Sequence, residues 1–150
     1  MIILDTNVIS ELTRPVPDPG VISWLDSVPA EETAITAITA AELQCGVRRM
    51  PDGRRKTGLS EAVNTLISTD FRDRVEPFDV LAADQYADVV TTLEHAGQPM
   101  STSDAQIAAI CRVRNATLAT RNTSDFTGVG VDLIDPWKAA GRVHGAVPGS

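Results

Sequence analysis

Short apolar runs rich in β-branched residues alternate with longer stretches of helical periodicity along this chain. The runs predict strands at residues 2–5, 33–38, 74–78, 117–120 and 131–136. Helix-length segments separate successive strands, so we expect right-handed crossovers and strands that run parallel. The alternation predicts an α/β fold with a mostly parallel central sheet flanked by helices on both faces.

Helical periodicity delimits the segments between the predicted strands. The predicted helices cover residues 7–13, 21–28, 40–50, 59–69, 80–97 and 101–116. Thr6 is expected to cap the first of them. No internal repeat is visible, so the 150 residues are expected to form one domain over 1–137. A flexible C-terminal tail, rich in small residues, is expected over 138–150.

The composition, with 43% hydrophobic and 22% charged residues, is ordinary for a globular protein. No apolar run approaches the roughly 20 residues that span a bilayer, and no basic-then-apolar signal peptide precedes the first strand. Cys45 and Cys111 lack the spacing of a metal site, so both thiols are expected in the core. We therefore expect a cytoplasmic protein with no membrane partner.

The formal net charge of −7 argues against nucleic-acid binding driven by charge alone. Nucleic-acid chemistry is not excluded, because an enzyme that gathers carboxylates around a divalent cation is acidic and the cation reverses the local sign. The basic residues concentrate in one stretch: Arg48, Arg49, Arg54, Arg55 and Lys56. This stretch is either a solvated loop or a surface that faces a substrate or partner.

Four carboxylates, Asp5, Glu42, Asp104 and Asp125, stand at the end of a predicted strand or in the first turn of the following helix. Ligands of open parallel sheets bind outside the carboxyl ends of the strands, so we expect these side chains to lie near one another. Protonation, positive neighbours or a bound cation would have to relieve their repulsion. Oxygen-only ligands would select a hard ion, Mg²⁺ or Mn²⁺.

Each acid also has a purely structural interpretation. Asp5 could cap a helix, and Asp125 could be a surface turn residue. The segment Thr39–Glu42 matches a capping box, and the helix dipole favours an acid such as Asp104 in a first turn. Spacing alone leaves both interpretations open at each position.

Four segments together resemble a known family: "IILDTNVISEL", "ITAITAAELQCGV", "QPMSTSDAQIAAICRVRNATLATRNTSDF" and "GVDLIDPW". They are similar to PIN-domain ribonucleases, in particular to the VapC-type toxins of bacterial toxin–antitoxin pairs and their FitB-like branch. The resemblance runs from residue 2 to about residue 137. It implies a PIN fold and an Mg²⁺- or Mn²⁺-dependent endoribonuclease that hydrolyses RNA by metal-activated water.

The resemblance also implies roles for individual residues. Asp5 and Asp104 match the family's metal-binding aspartates, and Glu42 matches its glutamate. The fourth position is divided between Asn122, which stands where some relatives carry an acid, and Asp125 of the "TRNTSDF" segment.

Supporting roles are expected around these acids. Thr6 and Thr120 could orient water or carboxylates, or could serve as backbone caps. The basic residues Arg48, Arg49 and those at 54–56 are candidates for contact with RNA phosphates.

The resemblance further implies a cognate antitoxin, a homodimer within the toxin–antitoxin complex, and contact with DNA only through the antitoxin. The RNA would be single-stranded or looped, because its bases are then accessible. Four apolar residues of the first two helices, Ile9, Leu12, Trp24 and Leu25, could help to form an antitoxin groove. Ordinary core packing is the alternative for these four.

Three other functions agree less well with the residues of this sequence. A phosphoacceptor domain would need a late lysine, but Lys56 and Lys138 follow no suitable strand. A haloacid-dehalogenase-type phosphatase would need an acid where Asn7 stands. A catalytically silent PIN module that binds RNA or a protein would typically have lost an acid, whereas the three main acids are present.

Overall fold

The structure, a computed structural model, describes residues 1–142, and it describes side chains through residue 139. In this range five strands form one sheet: β1 (Ile2–Leu4), β2 (Thr33–Thr36), β3 (Val75–Glu76), β4 (Thr117–Ala119) and β5 (Leu133–Ile134). Their order is β3-β2-β1-β4-β5, and each neighbouring pair is parallel. The predicted α/β fold with a parallel sheet is confirmed.

Seven α-helices alternate with or follow these strands within the described residues. They are α1 (Thr6–Leu12), α2 (Pro19–Asp26), α3 (Ala37–Arg48), α4 (Arg54–Thr65), α5 (Val80–His95), α6 (Thr102–Arg114) and α7 (Pro136–Arg142). A π-helical turn, Leu66–Asp70, prolongs α4, and 3-10 turns lie at Ala30–Glu32 and Thr123–Phe126. No described helix combines the length and the apolar character that crossing a membrane requires.

Alternate residues of each strand face opposite sides of the sheet and enter two separate cores. Ile3 and Leu118 belong to the core beneath α5 and α6. Leu4 and Ala119, one residue further along the same strands, belong to the core beneath α1 to α4, where Trp24 is also buried. Helices therefore cover both faces, which explains why adjacent residues of a strand, such as Ile3 and Leu4, are both apolar and buried.

The strand register brings the carboxyl ends of the central strands to one edge. In the parallel ladder, Ile3 lies opposite both Ala34 and Leu118. The segments that follow β1, β2 and β4 consequently leave the sheet at the same edge. Asp5 and Thr120 are the first residues after β1 and β4, and both are buried there.

Helix α3 begins three residues earlier than predicted. Thr36 ends β2 and caps α3, since its hydroxyl accepts a hydrogen bond from the Thr39 N–H (3.0 Å). The predicted strand is therefore wrong beyond Thr36. Glu42 lies in the second turn of α3, so its expected place in a first turn and the capping-box interpretation are both wrong.

The cysteines occupy different environments. Cys111 of α6 is buried, as expected. Cys45 is exposed, and the expectation that it is a core residue is wrong. The buried residues of α3 are Thr39, Leu43 and Val47, spaced four residues apart, and Cys45 lies outside this stripe.

The end of the described chain is helical where a strand and a tail were expected. Strand β5 covers only Leu133–Ile134, and Pro136 begins α7, at the first helical position that proline favours. Residues 138–142 of the expected tail belong to α7. Residues 143–150 lie outside the described part of the chain, and the domain boundary at 137 stays a prediction.

Candidate active site

Asp5 is the most buried acid of the predicted set, with 5% of its surface exposed. Its N–H donates to the carbonyl of Ala119 (2.9 Å), which continues the pairing of β1 with β4. Its Oδ1 accepts from the Thr6 N–H (2.8 Å), so Asp5 caps α1 and the predicted cap at Thr6 is wrong. Its Oδ2 accepts from the Thr120 hydroxyl (2.7 Å). Asp5 therefore caps a helix and also belongs to a polar cluster.

The Thr120 hydroxyl joins the start of α1 to the loop after β4. Besides donating to Asp5, it accepts from the Asn7 side-chain amide (3.2 Å) and from the Asn122 N–H (3.1 Å). The Asn7 Oδ1 in turn accepts from the Arg121 N–H (3.2 Å). These bonds fix the loop at 120–122 relative to Asp5.

Helix α3 brings Glu42 to the same edge of the sheet. The Thr6 hydroxyl donates to Glu42 Oε1 (2.6 Å), and it lies 3.0 Å from the hydroxyl of Thr39. Thr39 is fully buried, whereas Glu42 is exposed. Thr6 thus links α1 to α3 and holds one oxygen of the Glu42 carboxylate.

Asp104 reaches the cluster from the other face of the sheet, in the first turn of α6. Ser101 caps this helix, because its hydroxyl accepts from the Asp104 N–H (3.2 Å). Asp104 is half-buried. Together with Asp5, Glu42 and Asn122 it lines one cleft of about 490 Å³.

Asn122 and Asp125, the two candidates for the fourth acidic position of the site, lie in different places. Asn122 lines the cleft, and Asp125, which is exposed, lies in the 3-10 turn that follows Asn122 in the chain. The Asp125 N–H donates to the carbonyl of Asn122 (3.0 Å). The charge of Asp125 still acts on Asp5 and Asp104, because it helps to raise the pKa of each.

Burial and mutual repulsion raise the pKa of two acids in the cleft. For Asp5, burial is the main cause, and repulsion from Glu42 and Asp125 acts in the same direction. For Asp104, burial again comes first and repulsion from Asp5 second. The salt bridges found among the described residues involve none of these four acids. The carboxylates of the cluster therefore form no salt bridge with a described lysine or arginine, although Arg14 and Arg121 line the same cleft.

The donor set suits a hard divalent cation. The residues that line the cleft offer carboxylate, amide and hydroxyl oxygens, and no described histidine or cysteine is among them. Within residues 1–142, no three acidic, histidine or cysteine side chains converge tightly enough to hold a metal ion by themselves. Mg²⁺ does not need such a closed set of protein ligands, since it commonly binds through one or two carboxylates and retains several waters.

The basic stretch expected to contact RNA lies outside the acidic cleft, although Arg55 lines an adjoining depression that Glu42 also lines. Arg48 ends α3, Arg49 follows it, and Arg54, Arg55 and Lys56 begin α4, so the stretch consists mainly of helix ends. None of the five lines the acidic cleft. Contact between this stretch and RNA phosphates stays a prediction.

Six residues that line the cleft were missed by the sequence-based assignment of the site: Asn7, Ser10, Glu11, Arg14, Arg121 and Trp137. The Arg121 guanidinium lies over the Trp137 ring, 4.9 Å from its centroid. Asn7, Arg121 and Trp137 stand inside segments that carry the resemblance, "DTN", "ATRN" and "DPW" respectively. Proximity along the sequence to the assigned acids was the signal that could have identified Asn7 and Arg121.

Comparison with known proteins gives a consistent result. The PIN domain family model matches residues 2–130. The VapC ribonuclease Y4jK of Sinorhizobium fredii is 39% identical over 140 residues, which cover 93% of this chain and 100% of the relative. Toxin FitB of Neisseria gonorrhoeae is 39% identical over 137 residues, which cover 91% and 99% of the two chains.

The crystal structure of FitAcB from Neisseria gonorrhoeae contains a chain with the same architecture. The two chains superpose with a TM-score of 0.86 at 39% identity, over 91% of this chain and 99% of that one. The family model spans most of the chain, and the relatives match over almost their whole length. The chain therefore belongs to the PIN-domain family, in its VapC/FitB-type branch.

Proposed function

We propose that this protein is the toxin of a toxin–antitoxin pair and acts as a metal-dependent endoribonuclease. The observation that carries the proposal is the cleft itself, where Asp5, Glu42 and Asp104 meet and none of them forms a salt bridge with a described cationic side chain. Relatives that match over almost their whole length are named a ribonuclease and a toxin, which supports both parts of the proposal.

Asp5 and Asp104 would hold the principal ion, Mg²⁺ or Mn²⁺, with Glu42 in contact directly or through water. A bound divalent ion lowers the pKa of a coordinated water and polarises a phosphodiester, which is the chemistry that hydrolysis of RNA requires. Burial first, and repulsion among the carboxylates in addition, raise the pKa of Asp5 and of Asp104, and a bound divalent ion would favour the ionised form of both.

The protein's own residues orient the carboxylates. Thr120 and the Thr6 N–H each donate to a different oxygen of Asp5, which leaves the buried carboxylate little rotational freedom. Only Oε1 of Glu42 is engaged in a described hydrogen bond. Its other oxygen, Oε2, would be available to accept a hydrogen bond from the attacking water. Asn122 supplies a neutral amide where a fourth charge would add further repulsion.

A larger depression adjoins the cleft and supports the proposal of an antitoxin partner. It has a volume of about 1270 Å³ and shares Thr6, Ser10, Arg14 and Glu42 with the cleft. Its apolar lining includes Leu12, Leu25, Leu43, Val47, Leu59 and Leu66. An amphipathic helix of the cognate antitoxin fits such a groove through its apolar face.

The four apolar residues predicted for this groove divide into two pairs. Leu12 and Leu25 line it. Ile9 and Trp24 are buried in the core beneath the groove, so for these two residues the alternative of ordinary core packing is correct. An occupant of this groove would also reach the cleft, because the two depressions share residues, and it would thereby block access of RNA to Glu42.

The remaining partners follow from the same proposal. We expect a homodimer within the toxin–antitoxin complex, in the cytoplasm, where the RNA substrate is found. Similar chains have been solved in a FitAB complex with a DNA fragment. The net charge of −7 suits a chain that meets DNA only through its antitoxin.

Induction in a bacterial host tests the proposed function. Brief expression of the wild-type chain is expected to arrest growth and to create new RNA 5′ ends at reproducible sites. The Asp104→Asn variant should do neither, whereas Asp84→Asn, at an exposed position of α5 outside the cleft, should act like the wild type. Growth arrest by Asp104→Asn with the same RNA ends would contradict the proposal. Growth arrest without new RNA ends would indicate a silent PIN module that acts by binding.

A further inference from the structure

Besides its acids, the cleft contains two arginines and one aromatic ring. Arg14 forms an ion pair with Glu11 (3.1 Å). Arg121 takes part in none of the salt bridges found within the described residues; its guanidinium lies instead over the Trp137 ring, 4.9 Å from the centroid. The exposed Arg121 guanidinium therefore contacts an aromatic ring, although several carboxylates line the same cleft.

Both members of this pair are fixed to the framework of the site. The Arg121 N–H donates to Asn7 Oδ1 (3.2 Å). The Trp137 N–H donates to Asp135 Oδ1 (2.9 Å) at the start of α7, and its side chain packs against the core beneath α1 to α4. The position of the guanidinium is therefore set relative to Asp5, which shares Asn7 and Thr120 with this loop.

A guanidinium that rests on an aromatic face keeps the N–H donors of its edge for another partner. Those donors form a planar fork that matches the oxygens of a phosphate. The charge stays on the guanidinium at any physiological pH, so the fork can bind an anion even in an acidic cleft. None of the basic residues at 48–56 lines this cleft, so Arg121 is the cation there that remains free to bind a substrate anion.

We propose that Arg121, positioned by Trp137, binds a backbone phosphate of the RNA that enters the cleft. The inference rests on the proposed function and names a substrate-binding residue within it. Trp137 acts through Arg121 and is a positioning residue. An acidic group of a protein partner is the alternative ligand, and the experiment below separates the two.

RNA binding is measured best in the Asp104→Asn background, where cleavage is not expected. The probe is a short fluorescein-labelled single-stranded RNA of mixed sequence, followed by fluorescence anisotropy at several salt concentrations. Arg121→Gln should weaken binding about tenfold, the loss expected for one charge-assisted hydrogen bond. The slope of log K against log salt should become shallower by about 0.7, since one phosphate contact is lost.

Three further variants sharpen the test. Arg121→Lys keeps the charge, so it should retain the salt slope while losing less affinity than Arg121→Gln. Arg72→Gln removes an exposed arginine outside the cleft and should change neither quantity. Trp137→Phe should weaken binding when Arg121 is present and have no further effect after Arg121→Gln, a non-additivity that loss of fold stability alone would not produce.

An Arg121→Gln variant with unchanged affinity and unchanged salt slope would overturn the inference. So would a variant that still binds RNA normally but no longer binds the antitoxin, since an acidic protein group would then be the ligand. Absence of RNA binding by the Asp104→Asn background would also overturn it. In each case cleavage of RNA by the wild-type chain still decides the proposed function separately.

Discussion

At the scale of single residues, Asp5 shows why helix capping and site formation are not alternatives. Its Oδ1 accepts from the Thr6 N–H and its Oδ2 from the Thr120 hydroxyl, so one side chain begins α1 and faces the cleft. Burial favours its protonated form, and those two hydrogen bonds oppose burial. A bound cation would therefore shift this carboxylate toward its ionised form.

The first prediction concerns Asp104→Asn in the absence of metal. Burial and repulsion from Asp5 both disfavour the charge of Asp104, so we expect the uncharged variant in EDTA to melt at a higher temperature than the wild type. Added Mg²⁺ should raise the melting temperature of the wild type and leave that of the variant nearly unchanged. Differential scanning calorimetry measures both. Equal stabilisation of the two proteins by Mg²⁺ would show that Asp104 does not hold the ion.

The second prediction concerns pH. The folded-state pKa of Asp104 lies above its ordinary value of 3.8, so the folded protein binds this proton more tightly than the unfolded chain does. The stability contributed by the protonated group is complete below pH 3.8 and is lost as the pH rises through the raised folded pKa. In EDTA, the free energy of unfolding of the wild type should therefore fall relative to Asp104→Asn as the pH rises from below 3.8 to neutrality. Urea denaturation at a series of pH values measures this difference, and a constant difference would contradict the assignment.

At the scale of elements, helix starts differ in how well the local sequence specifies them. Ser101 caps α6 and Asn115 ends it in the left-handed conformation that asparagine tolerates, so sequence signals locate both ends. In "TAITAIT", threonine recurs every third residue, and both Thr36 and Thr39 are plausible caps. Pairing of β2 with β3 extends to Thr36 and decides between them. Such strand pairing is tertiary information that the local pattern does not contain.

The third prediction concerns the reactivity of the two thiols, because Cys45 lies on the exposed face of α3 and Cys111 on a buried face of α6. Burial raises the pKa of the Cys111 thiol to about 12, so this group should be unreactive at neutral pH in the folded protein. Cys45 is exposed and should react rapidly. Titration with Ellman's reagent should detect one fast thiol in the native wild type, none in Cys45→Ser, and two after denaturation. Two fast thiols in the native protein would contradict the packing described for α6.

At the scale of the whole molecule, the site is assembled from distant parts of the chain. The rule that parallel strands present ligands at their carboxyl ends anticipated that Asp5, Glu42 and Asp104 would meet. It could not anticipate the Thr120–Asp5 hydrogen bond, which joins residues 115 positions apart, or the contact of Arg121 with Trp137. Those contacts depend on the order of strands and on α7, which the sequence pattern did not predict.

The fourth prediction concerns the groove beside the cleft. Leu12→Glu places a charge where we propose an apolar antitoxin helix, and it should weaken antitoxin binding about tenfold or more. Val16→Glu is the matched control, because Val16 is 80% exposed and lies outside the groove. Isothermal titration calorimetry with the purified antitoxin compares the variants, and circular dichroism checks their folding. Unchanged binding by a folded Leu12→Glu variant would place the antitoxin elsewhere.

We propose that Asp5 and Asp104 hold a divalent ion that enables this chain to cleave RNA. The most direct test is cleavage of a labelled single-stranded RNA by the purified wild type, Asp104→Asn and the exposed control Asp84→Asn, each with Mg²⁺ and with excess EDTA. We predict cleavage by the wild type and by Asp84→Asn that EDTA abolishes and Mg²⁺ restores, with a rate about a hundredfold or more lower for Asp104→Asn. Cleavage that persists in EDTA, or that Asp104→Asn carries out at the wild-type rate, would contradict the claim.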